Sequence, residues 1–289
     1  MTMPVDVPVI DTMIGFPLRD PAKTYAYITR QTKDAESRGD LKMPAGYMFK
    51  DVPEDGSEPG RDPVEITLEQ MDRHGIAVGL VGVRGEDGAR AVATRPDRFV
   101  GTLSVDPNQG MEAVRAIVSA HDSLGIRAVD VFPAGTTPQV AINDKKMYPI
   151  YAKCVELGLP IFVCAGVPGP RVPFAPQRVE YLDEVMYDFP ELVLVTRHGC
   201  EPWTDLAVKL MVKWPNLYYS TSAFAPKYYP REIVDYANSR GAHKILYAGY
   251  YPMGLTLDRI MNELPNVPFK DEVWPRFLRE NAARILAIE

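Results

Sequence analysis

Short apolar runs alternate with amphipathic stretches eight times along the chain. The runs Val7 to Met13, Ala77 to Val83, Phe99 to Val105, Ala128 to Phe132, Pro160 to Cys164, Leu192 to Arg197, Asn216 to Thr221 and Lys244 to Ala248 read as strands. They are rich in Val, Ile and Leu on successive residues, as strands buried on both faces require. Between them, apolar residues recur at helical spacing over Thr67 to His74, Gly110 to Leu124, Tyr148 to Leu157, Arg178 to Phe189 and Trp203 to Trp214. A strand-then-helix unit repeated eight times predicts an α/β fold of parallel strands closed into a (β/α)8 TIM barrel. An open doubly wound sheet is the alternative, but no Gly-rich nucleotide turn follows the first run.

Punctuation agrees with this register. Gly75, Gly125 and Gly158 stand just past helices, where a left-handed backbone suits glycine, and Pro160, Pro190 and Pro215 stand where helices must stop. The chain reads as one domain over 1–289, with an insertion after the first strand covering about 16–65. Asp20 can cap a helix with Pro21 at its first position, running to about Ser37. The stretch from Pro53 to Pro63, rich in Gly, Pro, Asp and Glu, reads as mobile. The insertion leaves the carboxyl end of the first strand, so it is expected over the barrel face where ligands bind. Tyr25, Tyr27, Tyr47 and Phe49 would line a pocket there, or pack the insertion onto the barrel or onto a second subunit.

Composition narrows the partners. The 289 residues carry a net charge of −6 with no basic run, which argues against nucleic acid and anionic membrane. Three cysteines, Cys154, Cys164 and Cys200, are odd in number and lack metal-site spacing, as free thiols in a reducing compartment would. No leader pattern and no apolar run of membrane-spanning length occurs, and the expected location is the cytoplasm.

The candidate chemistry concentrates in Glu191 to Trp203, an apolar run that ends in Arg197, His198, Gly199 and Glu201. His198 at a strand's carboxyl end is the leading candidate for proton transfer near neutral pH. A histidine that caps a helix or satisfies a core hydrogen bond is the plainer alternative.

Several segments together carry a family resemblance: Val9-Ile-Asp-Thr-Met13, Leu68 to Ile76, Pro96 to Pro107, Gly158 to Val163, Leu194 to Gly199, Asn216 to Ser222, Ile245 to Pro252 and Asn281 to Ile285. In this order they resemble the amidohydrolase-related family, in the branch of aminocarboxymuconate semialdehyde decarboxylase and 2-pyrone-4,6-dicarboxylate lactonase. The resemblance implies a distorted (β/α)8 barrel with its active site at the carboxyl face. It also implies a divalent metal held by two histidines after an aspartate on strand one, a histidine on strand five and an aspartate on strand eight. Here those positions fall on Asp11, Met13 and Gly15, on Cys164, and on Tyr250; only the strand-six histidine, His198, is kept.

One imidazole and one thiol do not make a catalytic zinc site, which needs three protein ligands. The expectation is therefore no cofactor, with a zinc on Asp11, Cys164 and His198 as the lesser alternative. Side chains would then carry the proton work: His198 as acid or base, Asp11 orienting it or acting as base, and Tyr250 donating to an oxyanion. Strand periodicity and the family's geometry would place Asp11, Cys164, His198 and Tyr250 together in the barrel interior. Cys164 is also a candidate thiolate nucleophile with His198 as its base. Structural readings stand beside these: a hydrogen bond across the barrel mouth for Asp11, a space-filling ring for Tyr250, an apolar filler for Cys164.

Arg84, Arg171 and Arg197 fall at strand or loop ends on that face and are candidates to clamp a carboxylate. Glu201, Trp203, Ser222 and Tyr251 are further substrate-binding candidates, with Glu201 alternatively pairing with Arg197. The functional expectation is a metal-independent hydrolase of a lactone or amide bond, or a carbon–carbon lyase, acting on a small cyclic or unsaturated carboxylate. A hydratase or isomerase using the same groups, and a barrel that binds a ligand without turning it over, are the alternatives. A homodimer is the expected assembly.

Overall fold

In the computed structural model, which describes residues 3–39, 42–50, 52, 53 and 57–289, all eight apolar runs contain strands. They are β1 (Val9–Asp11), β2 (Ile76–Gly82), β3 (Phe99–Ser104), β4 (Ala128–Val131), β5 (Ile161–Cys164), β6 (Leu194–Arg197), β7 (Leu217–Ser220) and β8 (Ile245–Leu246). Each pairs in parallel with its neighbour in sequence order, which is the order of a TIM barrel. The β1/β8 seam is joined through Thr12, whose N–H and hydroxyl both donate to the Tyr247 carbonyl, at 3.2 and 2.7 Å.

Alternation along the strands divides the apolar residues into two layers. Ile10, Val78, Leu80, Ala128, Phe162, Val195, Tyr218 and Leu246 form one cluster, drawn from seven strands, which fills the barrel interior. The neighbours Val9, Val81, Phe99, Val129, Ile161, Leu194, Leu217 and Ile245 face the helices in the other. Cys164 and Arg197 keep step with Phe162 and Val195, and Asp130 with Ala128. They therefore extend the interior layer toward the barrel's carboxyl mouth.

Glycine caps fall where the pattern puts them. Gly75, Gly125 and Gly158 have φ of 68°, 59° and 65°, the left-handed backbone that L side chains adopt at a cost. Among the described residues no helix is long and apolar enough to cross a membrane.

The insertion differs from its expected form. Its first helix, α1 (Pro21–Thr29), is capped by Asp20, whose carboxylate accepts the Lys23 N–H at 2.9 Å, but it stops well short of Ser37. A second, one-turn helix, α2 (Ala35–Arg38), starts afresh because the Asp34 carboxylate takes the Ser37 N–H at 3.0 Å. Two acidic caps, Asp20 and Asp34, divide the expected helix in two. Of the stretch expected to be mobile, Pro53 to Pro63, residues 54–56 lie outside the described residues, and Pro63 opens the helix Pro63–Arg73 behind an Asp62 cap.

At the opposite end of the barrel, Lys244 is buried. Its ammonium donates to the carbonyls of Trp214 at 3.0 Å, Leu217 at 3.1 Å and Pro215, and stands 4.8 Å from the Tyr218 ring. Lys244→Met strands three carbonyls in a dry site and is expected to cost about 2–3 kcal/mol. Urea melts of the two proteins read this directly; an unchanged midpoint would show that the carbonyls find water.

Candidate active site

The mouth of the barrel is built around a buried cation. Arg197 ends β6 with 6% of its surface exposed, its guanidinium 4.6 Å from the centre of the Phe162 ring. One terminal nitrogen donates to the Thr12 carbonyl at 3.3 Å and the other lies 3.8 Å from the Asp130 carboxylate. Its Nε has no hydrogen-bond partner. A buried donor without an acceptor is costly, so this Nε favours an oxygen partner brought by a ligand or by a shift of the mouth around it.

Asp130, which the sequence reading passed over, is the carboxylate of this interior layer. It accepts the Thr102 hydroxyl at 2.9 Å and the Ser104 hydroxyl at 2.7 Å from the adjacent strand. Its signal was present: a lone acid inside Ala128-Val-Asp-Val131, an otherwise apolar buried strand, needs polar partners in the fold.

His198 and Tyr250 follow the ends of β6 and β8 in left-handed backbone, with φ of 64° and 66°. For non-glycine residues such a conformation costs on the order of 1–3 kcal/mol, and it concentrates at functional sites. Their rings meet edge to face, 5.3 Å apart at 74°. The left-handed turn re-aims both side chains, which is why strand parity alone does not place them.

Ser222 fixes the state of the imidazole. Its hydroxyl oxygen accepts the His198 backbone N–H at 3.2 Å and lies 3.2 Å from Nδ1. The buried serine hydroxyl must give its own hydrogen to an acceptor, and Nδ1 is the one in reach. That assignment leaves the hydrogen of the neutral ring on Nε2. Burial, then the charge of Arg197, lowers the His198 pKa well below its ordinary range, so the ring is neutral at pH 7. His198 thus offers the mouth an N–H donor.

Tyr250 also keeps its proton. Burial raises its pKa, and so do Tyr25, Cys164 and Tyr27, which places two of the insertion's tyrosines and the β5 thiol near its hydroxyl. Burial pushes the Cys164 thiol up to about 12, with Arg197 acting weakly against it. Cys164 is therefore a thiol at neutral pH, which removes the basis for a thiolate nucleophile paired with His198.

Asp11 takes a different place from the one strand alternation suggested. Ile10 is the interior residue of β1, and Asp11 turns toward β8, where Oδ1 accepts the N–H groups of Met13 and Gly249, both at 2.9 Å. It makes no hydrogen bond to His198; Ser222 holds that ring instead. Burial raises the Asp11 carboxyl to about 7, against the opposing pull of the two N–H groups and Arg197.

The three arginines do not converge. Arg84 is exposed and gives its Nε to the Ser104 carbonyl at 2.5 Å. Arg171 binds the insertion, donating to Asp34 and Glu36 at 2.7 and 2.6 Å and lying 4.1 Å from the Tyr47 ring centre. These partners are more than a hundred residues away in sequence, which is why local reading could not assign them. Glu201 does not pair with Arg197; it is exposed, its pKa raised by burial and then by Glu232. Trp203 packs against Phe174, with ring centres 5.6 Å apart. Tyr251 is buried beside β1, its carbonyl accepting the Gly15 N–H at 2.8 Å.

The donor set does not suit the metal that the fold would otherwise suggest. Met13 and Gly15 offer no nitrogen or oxygen side-chain ligand where the family places two histidines, and one oxygen of Asp11 is taken by the N–H groups of Met13 and Gly249. Among the described residues no three His, Cys, Asp or Glu side chains gather to hold an ion. A zinc on Asp11, Cys164 and His198 has no such cluster to occupy.

The barrel and its mouth define a TIM-barrel protein of the amidohydrolase type. The amidohydrolase family model matches residues 41–288, and the chain belongs to that family. No curated protein matches the chain by sequence. Among solved structures, an uncharacterised TIM-barrel protein from Bordetella bronchiseptica is similar at 24% identity, with TM-score 0.73 over 97% of this chain and 98% of that one. A 5-carboxyvanillate decarboxylase from Sphingomonas paucimobilis aligns at 19% identity and TM-score 0.66, over 98% of this chain and all of the other. A 4-oxalomesaconate hydratase from Rhodopseudomonas palustris aligns at 17% and 0.61, over 97% and 96%. At these identities the likeness is one of fold.

Proposed function

We propose that this protein is a metal-independent carbon–carbon lyase acting on a small, flat, unsaturated carboxylate. The observation that carries the reading is Arg197, a buried cation with an unpaired Nε whose charge acts on His198, itself in ring contact with Tyr250. The guanidinium anchors a substrate carboxylate, and the Phe162 ring supports the cation from the other side. Loss of carbon dioxide leaves an electron pair that an unsaturated substrate delocalises onto oxygen. The His198 N–H and the Tyr250 hydroxyl stabilise that oxyanion, and as its electron pair returns to the vacated carbon, that carbon takes a proton from water and hydroxide is released to solvent. Lyases among structures of the same fold make this chemistry natural to the scaffold.

Hydrolysis of a lactone or amide is the weaker reading. It requires a base or nucleophile at the mouth, and the groups there are donors: a thiol, a phenol, a guanidinium and an N–H of a neutral imidazole. The carboxylate of the interior layer, Asp130, is engaged by two hydroxyls and lies 3.8 Å from Arg197. A donor-lined mouth without a free base also suits a barrel that binds an anion and leaves it intact.

A panel of aromatic and unsaturated mono- and dicarboxylates, scored for binding by calorimetry and for release of carbon dioxide, tests the proposal. Release that survives chelation, with the chelator removed before assay, is the expected result. Activity lost on chelation and restored by zinc or manganese would overturn metal independence. Binding without turnover of any member would favour the non-catalytic barrel.

A further inference from the structure

The seam between β1 and β8 contains a cluster of buried polar atoms that the reaction does not use. Asp11 Oδ2 and the Tyr247 hydroxyl lack a hydrogen-bond partner in fully buried residues, and the Tyr229 hydroxyl beside them, also buried, has the Thr221 side chain as its one neighbouring hydrogen-bond group. They are neighbours: Asp11 raises the pKa of both tyrosines, and Tyr229 raises that of Tyr247. Two unpaired polar groups in one dry region would each cost about 1–3 kcal/mol, and native proteins rarely tolerate that.

Gly249 shows how the gap is made. A methyl at Gly249 would stand against Asp11 Oδ2 and 3.0 Å from the Tyr247 hydroxyl, so the missing side chain leaves these two oxygens facing across its position. Both lie within 3.0 Å of that point, so less than about 6 Å separates them, yet they are not bonded directly. A single water at about 2.8 Å from each spans such a gap, and two to four polar partners are what a buried water needs.

The same residue holds the site's geometry. Asp11 Oδ1 grips the N–H groups of Met13 and Gly249, and between those anchors the Tyr250 N–H donates to the Met13 carbonyl at 2.9 Å. Tyr250 is thereby fixed in its left-handed conformation with its ring on His198.

We propose that Asp11 is a positioning residue for Tyr250, and that one buried water, held between its Oδ2 and the Tyr247 hydroxyl with Tyr229 as third partner, completes the lock. The inference deepens the reading of the mouth given above, but its readouts need no turnover, so it stands or falls separately.

Two measurements test it. A high-resolution crystal structure is expected to show one ordered water in contact with Asp11 Oδ2 and the Tyr247 hydroxyl. A direct bond from Oδ2 to either tyrosine, or an empty gap, would overturn the water. Because Tyr250 faces His198 edge to face, its ring current marks the carbon-bound protons of that imidazole, one of only four in the chain. Asp11→Asn keeps an oxygen acceptor for both N–H groups and should leave the His198 signals in place. Asp11→Ala should move them in the same direction as Tyr250→Leu. Signals unmoved by Asp11→Ala would overturn the positioning role. If Asp11→Ala does not fold, Gly249→Ala provides the second variant: its methyl fills the gap and displaces the carboxylate. It is expected to shift the same signals and lower the melting temperature by about 4 °C, whereas unchanged signals in a folded Gly249→Ala protein would also overturn the proposal.

Discussion

Arg197→Met is expected to weaken carboxylate binding by roughly ten- to a hundredfold while leaving the melting temperature nearly unchanged. The binding loss follows from removing a charge-assisted hydrogen bond to the ligand, about 1.5–3 kcal/mol, at about 1.4 kcal/mol per tenfold. Stability is spared for a separate reason. Arg197 is a buried charge with one unsatisfied nitrogen and its acid partner at 3.8 Å, too long for a strong ion pair. Removing one member of a close buried pair costs about 3–5 kcal/mol because its partner is left uncompensated, but at 3.8 Å this pairing is weak, and a Met side chain of similar length can lie on Phe162. Asp130 keeps its two hydroxyl donors in the variant. Calorimetry with a carboxylate that binds the wild type, and a thermal melt, separate the two effects. Arg84→Met is the control, since that guanidinium is exposed and bonded to a carbonyl. Equal losses in both variants would mean that the anion binds on the rim.

The strands and their order were legible because burial on both faces writes itself as continuous apolar runs. The barrel followed from their number and from the glycines that end the helices. What the sequence did not disclose lies where the regular backbone stops. His198 and Tyr250 turn through left-handed conformations that no periodicity describes, and Asp11 leaves the strand's alternation to tie the seam. Arg171 illustrates a second limit: its carboxylate partners lie in the insertion, 137 and 135 residues away, so only the folded chain shows that its charge is already met. Asp130 marks an oversight of a different kind, because an acid in the middle of a Val-rich interior strand is visible to anyone counting alternate positions.

These placements change the chemical picture more than the fold did. The sequence predicts an acid–base set at the family's metal position, and the structure has mostly donors at the mouth. The left-handed backbone at His198 and Tyr250 is tolerated because Ser222 and Met13 hold it with hydrogen bonds. The expense of that strain makes sense only if the two rings must stand where they do.

Asp11 makes the second large prediction, which concerns stability against pH. An unfolded aspartate gives up its proton near 3.8, whereas the buried carboxyl holds it to about 7. Between these values the native state carries a proton that the unfolded chain has lost, so the Asp11 contribution falls as pH rises from about 4 to about 7 and is level above. The fall is on the order of 4 kcal/mol for a shift of this size. His198 acts in the opposite sense. Its pKa is lowered by burial and Arg197, so below about 6.5 the unfolded chain gains a proton that the native ring refuses, and stability falls as pH drops. Below 6.5 the two slopes oppose each other, and the wild-type curve alone hides both. The difference between wild type and Asp11→Asn isolates the carboxyl, because His198 is common to both and Asn is neutral at every pH. Denaturant melts from pH 4 to 8 should show the Asn variant gaining on the wild type as pH rises, with the gain complete just above pH 7. A gain in the opposite direction would mean that Asp11 is ionised in the native state and bound to Arg197, and the seam would then be held by a charge.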